Sequence, residues 1–460
     1  MKRNIALLTF ALSLLFMSIE GVAQHVQKNA SITHKSVRVE APFKMPTINK
    51  PDFAQVADFV ITDYGAEPGD KEKNAVAIEK AIAAATVAGG NVIVPAGEWH
   101  TKKIHLKSNV NLHLSEGAVL LFSPDPQDYL PAVFTTWEGL ECYNYSPLIY
   151  AFEAKNVAIT GKGEVRADIS QWRKWFPRPS AHMESIKRLY NWAQDRVPVE
   201  ERNMVNDTSN MRPQFIQFNR CENVLVEDIK IRNSPFWTLH LYLSKDIVVR
   251  GIDVYAHGHN NDGIDPEMSQ NVLIENCTFD QGDDAIAIKS GRNPEGWRLK
   301  TPSKNIVVRN CFVKDGHQLV AIGSELSGGI ENIYVENCKV ADDNEKLMHL
   351  LFIKTNERMG GYVKNVYLKN IEANAIREGI LGIDTDVLYQ WRTLVPTVVR
   401  KLTPVEGIYL EDVQAKEAKF VAKINGNADL PVKNIRLKNV TLTDASEERV
   451  QTKNVEKLVL

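Results

Sequence analysis

The sequence predicts an all-β fold, a right-handed parallel β-helix with an N-terminal capping helix. Two observations carry that prediction. A nine-residue phrase returns along the middle and end of the chain, and apolar and polar residues alternate with period two inside each copy. The phrase reads NVLVEDIKI from Asn223, DIVVRGIDV from Asp246, NVLIENCTF from Asn271, NIVVRNCFV from Asn305 and NIYVENCKV from Asn332. It continues as NVYLKNIEA from Asn365, GIYLEDVQA from Gly407 and NIRLKNVTL from Asn434, with weaker members from Asn109 and Asn156. Most successive starts lie 20 to 35 residues apart. A regular period of that size marks a solenoid, because strands this short bury a face only when neighbours stack on them. A β-propeller needs longer repeats of four strands each, whereas each copy here brings one strand and two shorter apolar runs, such as AIAIKS after Asp284.

Stacked copies form columns. The sixth residue of each phrase is Asp228, Gly251, Asn276, Asn310, Asn337, Asn370, Asp412 and Asn439. Amides repeated at the ~4.8 Å strand spacing predict a hydrogen-bonded ladder there. The seventh column is apolar throughout and carries Cys277, Cys311 and Cys338 on three consecutive rungs. Buried thiols are expected in that column, with a disulfide between stacked rungs left open.

The elements before the repeat read in order. Lys2 and Arg3 precede an apolar run from Ile5 to Met17, followed by Gly21, Val22 and Ala23. This is the pattern of a signal peptide over residues 1–23, predicting an exported chain, periplasmic or secreted. No cysteine follows the run to take a lipid, and no other apolar stretch is long enough to span a membrane. Residues 24–57 read as an extended lead-in with Pro42, Pro46 and Pro51. FVITDYGAEPGD is a strand and turn, and Asn74 to Gly90 reads as a helix closed by glycine, placed to cap the open edge of the solenoid. Residues 58–460 then form one β-helix domain, interrupted at about 166–210 by a charged insertion. Its Trp172, Trp175 and Trp192 either present a sugar platform or anchor the insertion to the barrel.

Composition bounds the function. Of 460 residues 44% are apolar and 24% charged, so the chain is globular. A net charge of −2 with mixed signs leaves no footprint for nucleic acid. Five cysteines in an exported chain leave at least one unpaired.

The solenoid register gathers chemistry. Asp283 lies twelve residues after Asn271 and His317 twelve after Asn305, so His317 falls one coil beyond Asp283. Aligning NDGID with DDAIA puts Asp262 one coil before Asp284. Asp262, Asp283, Asp284 and His317 thus form one cluster drawn from three coils. Three carboxylates about one rung apart cannot all ionise cheaply, so one holds a proton near neutral pH. A protonated acid beside an ionised carboxylate is what glycoside cleavage needs. Asp265, Asp315, Asp342 and Asp343 are expected to be turn residues capping backbone amides.

At these residues the chain resembles glycoside hydrolase family 28, the polygalacturonases and related pectin hydrolases, from about Phe59 to Asn439. The family's Asn-Thr-Asp element appears as Asn260-Asn261-Asp262, its Gly-Asp-Asp element as Gly282-Asp283-Asp284, and its Gly-His-Gly element as Gly316-His317-Gln318 followed by AIGSE. VITDYGAEPGD and VPAGEWHTKKIHLKSNVNLHLSEGA also look like the family's N-terminal section. The resemblance implies an inverting hydrolase of galacturonate-containing pectin. Asp283 would be the general acid, Asp262 and Asp284 would hold and deprotonate the water, and His317 would tune the acid or contact the sugar. A one-rung carboxylate separation is nearer the retaining geometry of the general rule, so inversion rests on the resemblance alone. The family's Arg-x-Lys element falls at Phe352-Ile353-Lys354, so its arginine has become Phe352. That loses a bidentate partner for a uronate carboxylate. Arg358 is a candidate to compensate, and Phe352 to stack on an apolar sugar face such as that of rhamnose. Lys354, Lys289, Asn260 and His257 complete the candidate sugar contacts.

Two rivals stand beside this reading: a pectate-type lyase on the same solenoid, and a β-helix that only binds glycans. The expectation is a monomeric glycoside hydrolase on polygalacturonan or rhamnogalacturonan, exo-acting if the insertion closes one end of a groove. It needs no cofactor or metal, because acid and base are side chains.

Overall fold

The computed structural model describes residues 32–345, 347–389 and 399–460. The expected signal peptide lies outside the described residues. Among these the chain winds into a right-handed parallel β-helix with one 20-stranded and one 11-stranded sheet. No described helix is long and apolar enough to cross a membrane.

The strands pair in the expected register. Val157, Val224, Ile247, Val272, Ile306, Ile333, Val366, Ile408 and Ile435 form one file, each paired with the next coil's residue. All are buried, and they contribute to one core running the length of the barrel.

The asparagine columns have a different cause from the one expected. Every residue of the sixth column has φ between +51° and +64°. The backbone takes a left-handed residue there in every coil, between two strands at Asp228, Gly251, Asn276 and Asn310 and within one long strand at Asn337, Asn370, Asp412 and Asn439. Asn, Asp and Gly tolerate that conformation best. Amide bonds are sparse in this column, from Asn370 to Asn337 at 2.7 Å and from Asn439 to Asp412 at 3.0 Å. The longer ladder runs through the first column. Asn156 donates to Asn109, Asn223 to Asn156, Asn271 to Asp246, Asn305 to Asn271, Asn332 to Asn305 and Asn365 to Asn332, at 2.9–3.1 Å.

All five cysteines are free and buried, and Cys277, Cys311 and Cys338 sit in the barrel core. The helix α1 (Lys71–Ala88) starts three residues before the expected Asn74, because Asp70 caps it by accepting from the Lys73 N–H at 3.0 Å. Its Ala77, Ile78, Ala81, Ile82 and Ala85 bury against the first coils.

The lead-in is more than extended chain. Thr33–Val37 and Ile48–Asp52 pair antiparallel. Val39, Ile48 and Phe53 press on the outward-facing Ala158, Leu225, Val248, Leu273 and Val307 of the larger sheet. The insertion leaves the barrel after Glu164–Ala167 and rejoins it at Ile216–Asn219. It carries α2 (Ser180–Gln194). Its tryptophans are anchors, not a platform: Trp172 and Trp175 lie in the barrel core, and Trp192 packs on a second cluster.

One element escaped sequence reading. Val133–Trp137 and Leu140–Asn144 form an antiparallel hairpin over the outer face of the 11-stranded sheet. Thr135 donates to Gln217 at 3.0 Å, Gln214 to the Thr136 carbonyl at 2.9 Å, and Tyr150 to the Phe134 carbonyl at 2.5 Å. Trp137 of the hairpin, Ile186 and Leu189 of α2, and Phe236 and Trp237 of the barrel share the second apolar cluster. Hairpin and insertion therefore form one wall.

Candidate active site

Beside that wall the outer face of the 11-stranded sheet opens into a cleft of about 400 Å³. Its lining includes Asp262, Asp283, Asp284, His317, Lys289, Lys354, Asn260 and Phe352. A larger groove of about 600 Å³ lies under the lead-in hairpin. There Asp52 is paired with Lys35 at 2.9 Å and Glu227 with Lys50 at 3.1 Å.

Each acid is placed by its coil. Ile264 pairs with Ile286 and Ile286 with Val320, which sets Asp262 beside Asp284 and Asp283 beside His317. The ladder continues into the turns: the Gly263 N–H donates to the Asp284 carbonyl at 2.9 Å, and the His317 N–H to the Asp283 carbonyl at 2.8 Å. Buried Asn261 fixes the turn before Asp262 by donating to the carbonyls of Ser234 and Phe236 at 2.9 and 3.0 Å. Gly282 is required by close approach, since a Cβ there would lie 2.5 Å from the Gly258 nitrogen.

The side chains converge as expected. His317 Nδ1 lies 3.1 Å from Asp283 Oδ1, and donor atoms of Asp283, Asp284 and His317 all fall within 4.8 Å of one another. Lys354 Nζ lies 3.1 Å from Asp284 Oδ2. Lys289 Nζ lies 3.3 Å from Asp262 Oδ2, 3.5 Å from Asp265 Oδ1 and 3.8 Å from Glu325 Oε2, over the Trp237 ring.

Electrostatics separate the acids. Burial, then the Asp283 charge, push Asp262 up to about 7. Burial, and then Asp283 against the pull of Lys354, raise Asp284 as well. Asp283 goes the other way: burial would raise it, but the His317 hydrogen bond and charge, with Lys354 and Lys289, hold it below the ordinary carboxylate value. His317 is raised in turn, chiefly by its bond to Asp283. The buried Asp284 Oδ1 has no hydrogen-bond partner among the described residues.

The pattern that defines Glycosyl hydrolases family 28 matches residues 199–459, more than half of the chain. The chain belongs to that family. It is 26% identical over 407 residues to a probable polygalacturonase of Vitis vinifera, covering 85% of this chain and 75% of that protein. It is 27% identical over 333 residues to an exo-poly-alpha-D-galacturonosidase of Dickeya chrysanthemi, covering 67% of this chain and 54% of that protein. The crystal structure of a hyperthermoactive exopolygalacturonase from Thermotoga maritima is 35% identical, with a TM-score of 0.81 over 90% of this chain and 92% of that one.

This family 28 chain departs from expectation at three candidates. Arg358 is buried and outside the cleft lining; its carbonyl accepts from Asn293 at the start of α3 (Asn293–Leu299), so it does not stand in for the missing arginine. His257 also lies outside the lining, with Nε2 held 2.5 Å from Asp280 Oδ1. Asp265 is no turn residue: it is fully buried on strand Ile264–Glu267 against Lys289, and neither carboxylate oxygen has a hydrogen-bond partner among the described residues. Asp315, in contrast, does cap a turn by accepting from the Gly316 N–H at 2.9 Å. Phe352 lines the cleft with one face stacked on His349, ring centroids 4.7 Å apart.

Sequence reading also missed Glu138, Arg178, Trp237, His259 and Arg292 in the lining. Glu138-Gly139 amid the alternating run VFTTWEGLECYN was a legible hairpin signal. Nothing local marks Arg178.

Proposed function

We propose that this glycoside hydrolase is an exo-acting pectin hydrolase that releases galacturonate from chain ends by inverting hydrolysis. The observation that carries the reading is the gathering of Asp262, Asp283, Asp284 and His317 in one cleft walled on one side. Outward side chains on that side are spent beneath the hairpin: Gln217 bonds His240 at 2.9 Å, His240 bonds Glu267 at 2.9 Å, and Tyr242 bonds Glu141 at 3.0 Å. A polymer has no through-path there, so a chain end is what the cleft accepts.

Asp283 with His317 serves as the acid. The pair holds one proton, and ionised Asp283 beside protonated His317 is equivalent in proton count to the neutral acid beside neutral imidazole. Asp283 passes its proton to the glycosidic oxygen as the bond to the anomeric carbon breaks. Asp284 and Asp262 orient water and accept its proton, Asp284 through the oxygen that has no hydrogen-bond partner among the described residues. Lys354 and Lys289 offset part of the rise that burial imposes on these carboxylates, which favours the ionised form a base needs. Lys354 and Asn260 are read as sugar contacts, and Phe352 as a flat apolar wall.

The chain is further read as exported and monomeric, and N-terminal sequencing of the mature protein should begin at Gln24. Defined galacturonan and rhamnogalacturonan oligosaccharides, assayed for reducing ends and by product chromatography, test the activity. A single released monosaccharide supports exo action; a ladder of internal products removes it. Ultraviolet-absorbing products would mean elimination instead of hydrolysis. Proton NMR of the first-formed anomer checks inversion.

A further inference from the structure

The missing arginine at Phe352 leaves open what meets a uronate carboxylate, and two arginines converge on Asn260, Arg178 lining the cleft and Arg212 buried. Arg178, from the insertion, and Arg212, near the insertion's return, both aim Nη2 at Asn260 Oδ1, at 3.0 and 3.3 Å. Two guanidinium groups sharing one neutral amide oxygen repel each other and leave donors unspent. Arg212 is buried, lies over the rings of Phe176 and Phe236, and donates to the carbonyls of Pro235 and His259 at 2.7 and 2.6 Å.

The rest of the cleft is balanced where this corner is not. Lys354 faces Asp284, Lys289 faces three carboxylates, and Arg292 faces Glu325. Among the described residues Arg212 has no carboxylate within 4.0 Å, and Arg178 has only Glu138 at 4.0 Å. Glu138 is itself shared with Arg292 at 3.5 Å. The buried Nε atoms of both Arg178 and Arg212 have no hydrogen-bond partner among the described residues. His259 beside them is lowered, by burial first and then by these two positive charges.

We propose that Arg178, backed by the buried charge of Arg212, holds the carboxylate of the terminal uronate at the walled end of the cleft. It thereby supplies from the insertion the fork that Phe352 lacks at its own position. The inference rests on the reading of the cleft as a uronate-releasing site.

Calorimetric titration of galacturonate and of galactose into wild type, Arg178→Gln and Arg178→Lys tests it, with trigalacturonate turnover measured alongside. Galacturonate should bind wild type more tightly than galactose. Arg178→Gln should weaken galacturonate at least about tenfold, the loss expected for a charge-assisted hydrogen bond. Arg178→Lys, which keeps the charge but not the fork, should weaken it less, with galactose affinity unchanged in all three. Should the glutamine variant not fold, the lysine variant carries the test, and an unchanged ratio of the two sugars then overturns the site. Equal galacturonate affinity in wild type and Arg178→Gln overturns it, as does a wild type that does not discriminate the sugars. Arg178-dependent galacturonate binding without any turnover of trigalacturonate supports the carboxylate site and removes the hydrolase reading instead.

Discussion

His317 Nδ1 lies 3.1 Å from Asp283 Oδ1, and the two residues are joined a second time through the His317 N–H and the Asp283 carbonyl at 2.8 Å. The backbone bond fixes the coil register, and the register brings the imidazole to the acid. One ladder contact thus sets both the fold and the proton inventory of the site.

Replacing His317 by Gln should therefore act on protonation before binding. Without the imidazole, Asp283 loses the contact that lowers it, and the shared proton is gone. We expect kcat to fall by about 10²–10⁴-fold with a smaller change in KM. The alkaline limb of the kcat/KM profile should move as well. An unaltered profile with a changed KM would mean that His317 only contacts the sugar.

Asp262 links the site to stability. Its carboxyl is raised from an ordinary 3.8 to about 7, so the folded protein holds a proton that the unfolded chain has lost across that window. That contribution is complete below the unfolded value and disappears as pH rises through about 7. Asp262→Asn should raise Tm above pH 7, by an amount that shrinks toward pH 4, while activity drops at least about 10³-fold. Thermal melts at several pH values check the direction; a Tm difference independent of pH would contradict it.

Asp265 contributes through Lys289 and Asp262 and does not line the cleft. Burial and the Asp262 charge raise it well above the carboxylate range. A carboxyl raised that far stays neutral where the site works, so the isosteric Asp265→Asn leaves the charge beside Asp262 unchanged. The acid limb of the kcat/KM profile should then stay in place with the fold intact. A shifted acid limb would mean that Asp265 carries charge and couples to Asp262.

Gly139 at the hairpin tip has φ +84°, and a Cβ there would lie 2.7 Å from the Arg292 backbone nitrogen. Gly139→Ala is expected to cost about 1–3 kcal/mol, because the clash is with backbone and the conformation is strained. If the hairpin forms the wall that enforces exo action, the variant should also release longer products. A lowered Tm with the product profile unchanged would separate the wall from its proposed role.

The thiols make a simpler prediction. With five free buried cysteines, a reducing agent should leave Tm unchanged, and thiol titration of the denatured chain should count five. Fewer than five would reveal a bridge.

The repeat, the register and the gathering of Asp262, Asp283, Asp284 and His317 were all legible in the sequence, and for one reason. In a parallel solenoid, stacking converts equal offsets along the chain into adjacency, so counting from Asn271 and Asn305 is enough to place His317 beside Asp283. Period-two alternation likewise determined which residues enter the core. Tertiary structure alone decided what depends on elements outside that arithmetic. The insertion and the hairpin cross the barrel at no fixed offset, so Arg178 reaches the cleft unannounced while Arg358 lies outside its lining. Asp265 resembled a turn residue because sequence shows neither burial nor the ammonium group of Lys289 lying 3.5 Å away. Local pattern determines a strand's neighbours; only packing of the long excursions determines which charges share a space without water.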